Sequence, residues 1–262
     1  GVYSGWLASL LYGIPYVITR RVPNPQRPSM LRDRAYRRAA SVVALSEAVA
    51  RSMTRYADLD FDIIPDAHAS LVADPKRAAE LRRRYDGKFV IGHVGALDHG
   101  HKGQGTIIEA AHLVRDSHPD WHFLLCGSGR DEAAFRDAIG DLGNVELAGF
   151  VDNIGDYYAA FDLFVFPSLK EAIGSAMIDA MFFGLPIVGS DVDGIPEFLE
   201  DGVNGRLMQP GDAGSLIAGI EDIVARPDFA AEIRKANIDK AAMLDAAAMA
   251  DRYEAVYERI LA

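Results

Sequence analysis

Eight short apolar runs, bounded by Gly, Pro, Asp or Ser and separated by amphipathic stretches, leave this chain few architectures to adopt. They are PYVIT (15–19), SVVAL (41–45), FDIIP (61–65), FVIGHVG (89–95), HFLLCG (122–127), VELAG (145–149), LFVFP (163–167) and PIVGS (186–190). Their β-branched and aromatic content predicts strands. Most are apolar throughout rather than alternating, which is the pattern of parallel strands covered on both faces. Helices are predicted between them. SEAVARSMTRYA opens at Ser46, a good N-cap. GTIIEAAHLVRDS sets Ile107, Ala110, Ala111 and Val114 at helical spacing. DEAAFRDAIGDLG, DAGSLIAGIEDIVARP and the closing DAAAMADRYEAVYERILA carry similar signals. Strand, short glycine loop and helix, repeated, predict a doubly wound α/β fold of Rossmann-like type.

The polar, helix-rich stretch 66–88 divides two strand–helix series. The first 65 residues hold about three predicted strands, too few for a complete domain of this kind. The series from Lys88 onward is long enough for a whole one. The expected organisation is a partial Rossmann-like domain over 1–67, a complete one over 68–245, and a C-terminal helix over 246–262 that crosses back to the first. Half of the 262 residues are hydrophobic and a quarter are charged, a folded globular composition. The net charge of -11 argues against nucleic acid as a partner of the bulk surface. The single Cys126 excludes an internal disulfide framework and a Cys-rich metal site, and its apolar run predicts a buried, inert thiol. No apolar stretch approaches the roughly 20 residues needed to span a bilayer. The opening GVYSGWLASLLYGIPYV lacks the basic start of a signal peptide and an initiator Met. The chain is therefore expected to be missing its true beginning.

Four stretches carry candidate chemistry. In GHVGALDHGHKGQG, a glycine-rich strand-to-helix turn lets backbone amides approach an anion, with Lys102 adding a point charge at the helix entrance. A plain turn with a solvated lysine fits the same residues. CGSGRDE (126–132) follows a strand but lacks the third glycine of a dinucleotide fingerprint, so its glycines read as structural, lining a cleft. His99 and His101 stand two apart without further ligands at metal-site spacing, and read as loop histidines. The segment 19–38 holds Arg20, Arg21, Arg27, Arg32, Arg34, Arg37 and Arg38 against Asp33. It suits either an anionic acceptor or headgroup, or a solvated helix face. In PSLKEAIGSAMID, Glu171 is predicted in a loop before a helix that starts near Gly174 or Ser175. The first amides of that helix suit a phosphate, and Asp179 lies one turn inside, able to accept hydrogen bonds from a vicinal diol such as a ribose. A pair of acids favoured by the helix dipole is the structural alternative.

The stretch 163–197 resembles the signature of family 4 of the retaining glycosyltransferases with GT-B fold. That signature is P-S-x-x-E-x-x-G, a second acid eight residues on, G-x-P-[VI], then G-[GI]-x-E. VGALDHGHKGQGTIIEAA, FLLCGSG, VELAGFVDNIGDYYAAFDLFVFPS, EDGVNGRLMQPGD, VVALSEAVA and FDIIPDA are similar to its other segments, so the likeness covers nearly the whole chain. The resemblance implies a nucleotide-sugar donor held by the second domain. Glu171 would contact the transferred sugar and Lys102 the diphosphate, the two forming the catalytic pair. The amides of Ala172, Ile173, Gly174 and Ser175 would hold the diphosphate, and Asp179 the ribose. Gly95 and Gly127 would line the cleft, with the base against Gly149, Phe150 and Val151. The loop of Gly194 and Glu197 would lie beneath the donor.

The resemblance further implies transfer to a saccharide or lipid-linked acceptor with retention, in cell-envelope polysaccharide or glycolipid synthesis. No metal or other cofactor is expected. The family's Arg is Ala96 here, and its second Glu is Asp179, with roughly 1.5 Å less reach. The N-G after IIP is Asp66–Ala67. The family's acceptor-side histidine falls near Arg20 or Arg21, which become the acceptor candidates. Residues 20–38 suit contact with an anionic membrane, for a cytoplasmic protein at its inner face. A chain beginning inside the first domain is expected to be inactive by itself. Two other classes remain: a non-catalytic nucleotide-sugar-binding module, suggested by Ala96 and Asp179, and an NAD-dependent oxidoreductase, suggested only by GSGR.

Overall fold

In a computed structural model, which describes residues 1–24 and 27–262, two parallel sheets carry the chain. The smaller sheet is built from α1 (Val2–Tyr12), β1 (Val17–Arg20), α2 (Met30–Arg38), β2 (Ser41–Ala44), α3 (Glu47–Ser52) and β3 (Phe61–Ile63). Its strand order is β1-β2-β3. Helix α2 is capped by the Ser29 side chain on Arg32 N, and α3 by Ser46 on Val49 N. Helix α1 buries none of its residues; Tyr3, Leu7, Leu10 and Leu11 are exposed along one side of it.

After the connecting segment come α4 (Pro75–Arg84), β4 (Phe89–Val94), α5 (Gln104–Val114), β5 (Trp121–Cys126), α6 (Glu132–Ile139), β6 (Val145–Gly149), α7 (Ile154–Ala160) and β7 (Leu163–Phe166). They are followed by α8 (Ser175–Phe182), β8 (Ile187–Ser190), β9 (Arg206–Met208), α9 (Ala213–Val224), α10 (Pro227–Ala242) and α11 (Ala246–Leu261). The large sheet runs β6-β5-β4-β7-β8-β9, every pair parallel. The order reverses between β4 and β7, paired through Ile91 with Leu163 and Gly92 with Phe164. In open sheets of this kind ligands lie outside the strand ends at that reversal.

The continuous apolar runs are explained by packing on both sides. Ile91, Phe123, Leu125, Leu163 and Val165 join one core with residues of α5, α6 and α9. Their neighbours Val90, Leu124, Cys126, Phe164 and Phe166 join the other with residues of α4, α7 and α8. Successive side chains of a strand point to opposite faces, so an all-apolar strand is the sequence of a doubly covered sheet. Cys126 is buried, and its burial pushes the thiol pKa up, away from reactivity. Strand β9 was not among the predicted runs: three residues long, it follows a turn-rich stretch and pairs with β8 alone.

Helix α11 packs on the small sheet. Val256 shares a cluster with Val43 and Ile64, and Arg259 pairs with Asp62 at 2.5 Å. Among the described residues, no helix is long and apolar enough to cross a membrane.

Candidate functional site

The loops after β4 and β7 meet at the reversal point. Lys102 Nζ lies 2.5 Å from Glu171 Oε2, with 27% and 14% of the two side chains exposed. Each partner is aimed by its own loop. Gly103 follows Lys102 in the left-handed region, at φ 69°, and ends the first loop as the N-cap of α5. Glu171 N donates to Asp193 Oδ2 at 3.1 Å, while Glu171 O accepts from Gly194 N at 3.2 Å.

Beneath the first loop, the fully buried His93 has Nδ1 3.0 Å from Val165 O. A carbonyl only accepts, so Nδ1 carries the proton and Nε2 is an acceptor, 3.3 Å from Gln104 Nε2. Gln104 Nε2 also donates to Ala96 O at 2.8 Å, which fixes the turn. Burial holds the His93 pKa down at about 4, the Val165 bond opposing and Lys102 adding to the depression. The unfolded chain therefore binds more protons than the folded one between roughly pH 6.5 and 4, and stability falls as pH drops through that window. The expected loss for His93 is about 3 kcal/mol. Urea midpoints measured at pH 7 and pH 4 should show it, and His93→Gln should flatten the slope. Equal slopes in both proteins would remove His93 as its source.

Three adjoining cavities open on these loops, and the exposed Ala96 borders all of them. One, of about 430 Å³, is lined by Gly95, Gly127, Ser128, Phe150 and Val151. A second, of about 440 Å³, is lined by Gly95, Lys102, Tyr158, Ser175 and Asp179, with Ala69 and Leu71 from the connecting segment. The third, of about 240 Å³, lies where the small-sheet unit faces the large one and takes in Arg21, His101, Lys102, Lys170, Glu171 and Ala172. Ser175 and Ala176 open α8 at the second cavity, and first-turn amides have no partner inside their own helix. Lys102 and that helix start together are arranged so that they could hold an anion beside an acid, Glu171.

Several candidate residues have no side chain or backbone among those lining the three cavities. Ile173 is buried in the core, and Gly174, at φ 80°, is the turn that starts α8. Gly149 does not line the first cavity, but its carbonyl accepts from the N–H of Gly127, which does, at 2.8 Å. Arg20 turns its guanidinium to Asn24 O at 2.7 Å and is not among the lining residues, whereas Arg21 is, paired to Asp66 at 2.6 Å. Gly194 presses on the loop of Glu171, since a Cβ there would stand 1.9 Å from Ala172 O. Glu197, expected under a donor, faces the other way: its carboxylate accepts from Glu47 N at 2.8 Å and Ala48 N at 2.7 Å, capping α3. Ser46 Oγ donates to Ala172 O at 2.8 Å. The arginines of 19–38 do not form one patch. Arg37 pairs with Asp58, Asp33 with Arg55 and Tyr56, and Arg21 with Asp66. Lys170 at the third cavity was not singled out from the sequence, though its place beside Glu171 was the available signal. Ala69 and Leu71 carry no such signal.

Residues 88–226, more than half of the chain, match the family described as Glycosyl transferases group 1, and the chain belongs to that family. It is 27% identical over 258 residues to the 2-deoxystreptamine glucosyltransferase of Streptomyces kanamyceticus, covering 86% of this chain and 65% of that protein. It is 27% identical over 288 residues to the alpha-D-kanosaminyltransferase of the same organism, covering 97% of this chain and 73% of that one. HepE of Anabaena, solved in complex with UDP-glucose, superposes with a TM-score of 0.82 at 26% identity, over 99% of this chain and 75% of HepE. The α/β fold with parallel sheets is that of GT-B glycosyltransferases such as HepE.

Proposed function

We propose that the protein binds a nucleoside-diphosphate sugar and transfers the sugar to a saccharide or lipid-linked acceptor, as a family 4 enzyme that retains anomeric configuration. The observation that carries this is the Lys102–Glu171 pair at the sheet's reversal point, beside the start of α8. The base would occupy the cavity at Phe150 and Val151, and the ribose the one at Asp179. The diphosphate would lie between Lys102 and the Ser175 amide. The sugar would lie against Glu171, in the cavity shared with Arg21 and Lys170. Lys102 and the helix amides would neutralise the departing diphosphate, a task that asks for no metal. HepE's complex with UDP-glucose supports a uridine donor.

Calorimetry with UDP- and GDP-glucose tests the reading, followed by an assay for release of the diphosphate. Micromolar binding of one of them with turnover is expected; absence of binding to both removes the proposal. Binding without transfer or hydrolysis favours a non-catalytic module, for which the exposed Ala96 at the middle of the cleft speaks.

The acceptor side is expected to meet an anionic membrane in envelope polysaccharide or glycolipid synthesis, at the inner face of the cell. The exposed apolar side of α1 and the exposed Arg34 and Arg38 on the adjoining α2 support this. Reversing both charges, Arg34→Glu with Arg38→Glu, should weaken binding to phosphatidylserine vesicles at least ~10-fold, at about 1 kcal/mol per basic residue near such a surface. Unchanged binding takes the membrane out of the reading.

A further inference from the structure

Between β7 and α8 the chain that carries Glu171 runs as irregular backbone. Its course is set by bonds from other segments, and three of them bracket the acid. Glu171 N donates to Asp193 Oδ2 at 3.1 Å, and Glu171 O accepts from Gly194 N at 3.2 Å. The next carbonyl, Ala172 O, accepts from Ser46 Oγ at 2.8 Å. The turn that supplies the first two partners is itself closed, with Ile195 N donating to Val192 O at 3.1 Å.

Asp193 differs from the other two partners in its backbone. It lies in the left-handed region at φ 47°, which side-chain-bearing residues adopt rarely and Asp and Asn more readily than most. Glycine would sit there without strain. What glycine could not supply is the acceptor for the Glu171 N–H. Strain of this kind persists where the surroundings use it. Asp193 is exposed, and among the described residues the lining of the three cavities does not include it. Its route to the chemistry therefore runs through Glu171.

Resting on the reading of Glu171 as the contact of the transferred sugar, we infer that Asp193 is a positioning residue. Its carboxylate holds the Glu171 backbone so that the Glu171 side chain faces the sugar.

The test compares Asp193→Gly, Asp193→Ala and Asp193→Asn in the full chain. Thermal melts read stability, calorimetry reads the affinity of free UDP or GDP, and diphosphate release from the matching glucose donor reads turnover. Strain orders the melting temperatures, with Gly above Ala and Asn near the parent. The bond orders turnover differently. Asn, which keeps an acceptor, should stay within about 3-fold of the parent, whereas Gly and Ala should both lose at least about 10-fold in kcat. The donor KM and the free-nucleotide affinity should move less than about 3-fold. In a Glu171→Gln background, Asp193→Gly should lower turnover less than about 3-fold further, because both changes act through one carboxylate.

Turnover that follows melting temperature across the three variants would show a merely structural turn, and would overturn the inference. So would full turnover in Asp193→Gly, an Asn variant as impaired as Gly, or an additive loss in the double variant. If the parent binds neither nucleotide, or binds without releasing diphosphate, the transferase reading fails and this inference falls with it. Turnover by the parent with the wrong ranking of variants sinks this inference alone.

Discussion

Glu171→Gln should move nucleotide affinity and turnover in opposite directions. The Lys102 ammonium lies 2.5 Å from the Glu171 carboxylate, and both side chains are largely sheltered from water. An incoming diphosphate has to share that ammonium with the carboxylate. Gln keeps the volume and a hydrogen-bonding oxygen but removes the competing charge. UDP or GDP should then bind about 3- to 10-fold more tightly, a change of roughly 0.6–1.4 kcal/mol, the order of one partly exposed ion pair. The transferred sugar loses a charged contact at the reacting centre, and turnover should fall about 10³-fold, as on removal of one electrostatic stabiliser of a transition state. Calorimetry with the free diphosphate and a diphosphate-release assay read the two quantities separately. Parallel loss of both would show that Glu171 merely holds the loop in shape.

Gly103→Ala should destabilise the fold by about 4 kcal/mol and lower the melting temperature by roughly 10 °C. Gly103 stands at φ 69°, where a Cβ costs about 1–2 kcal/mol. That Cβ would also stand 1.9 Å from Pro167 O and 2.7 Å from its carbonyl carbon. Pro167 follows β7, so the substitution wedges apart the two loops that bring Lys102 to Glu171. Gly105, two residues on, has open space around its would-be Cβ and lies in the first turn of α5. Gly105→Ala should raise stability by about 0.5–1 kcal/mol, because alanine loses less freedom in a helix. Thermal melts of the two variants compare position against chemistry. Equal behaviour would show that the close approach to Pro167 is not what demands glycine at 103.

The large sheet was legible because burial on both faces is written residue by residue in runs such as FVIGHV and LFVF. The loops at the reversal point were legible for a related reason: a left-handed turn favours glycine, and Gly103 and Gly174 mark where such turns fall. Contacts between distant segments were not legible. Ser46 with Ala172, Glu197 with the amides of Glu47 and Ala48, and Asp179 with Ala69 join residues more than 100 positions apart. Two of these use backbone amides, which every residue but proline has, and so leave no trace in composition. The arginine-rich segment shows the converse. Seven arginines read as one basic surface, because Asp58 and Asp66, the partners of Arg37 and Arg21, reach them from other parts of the fold, as Arg55 reaches the segment's own Asp33. Helix α1 escaped notice since no residue of it is buried, and burial is what the reading of runs detects.

The cap that Glu197 places on α3, with the bond from Ser46 to the Ala172 carbonyl, makes the small-sheet unit and the loop of Glu171 parts of one equilibrium. Linkage between two sites is reciprocal: if a ligand on the small-sheet side favours one seating of α3, a ligand at Glu171 that favours the same seating strengthens the first by the same factor. On the proposed transfer, each of the two substrates would then raise the affinity of the other by the same factor without touching it.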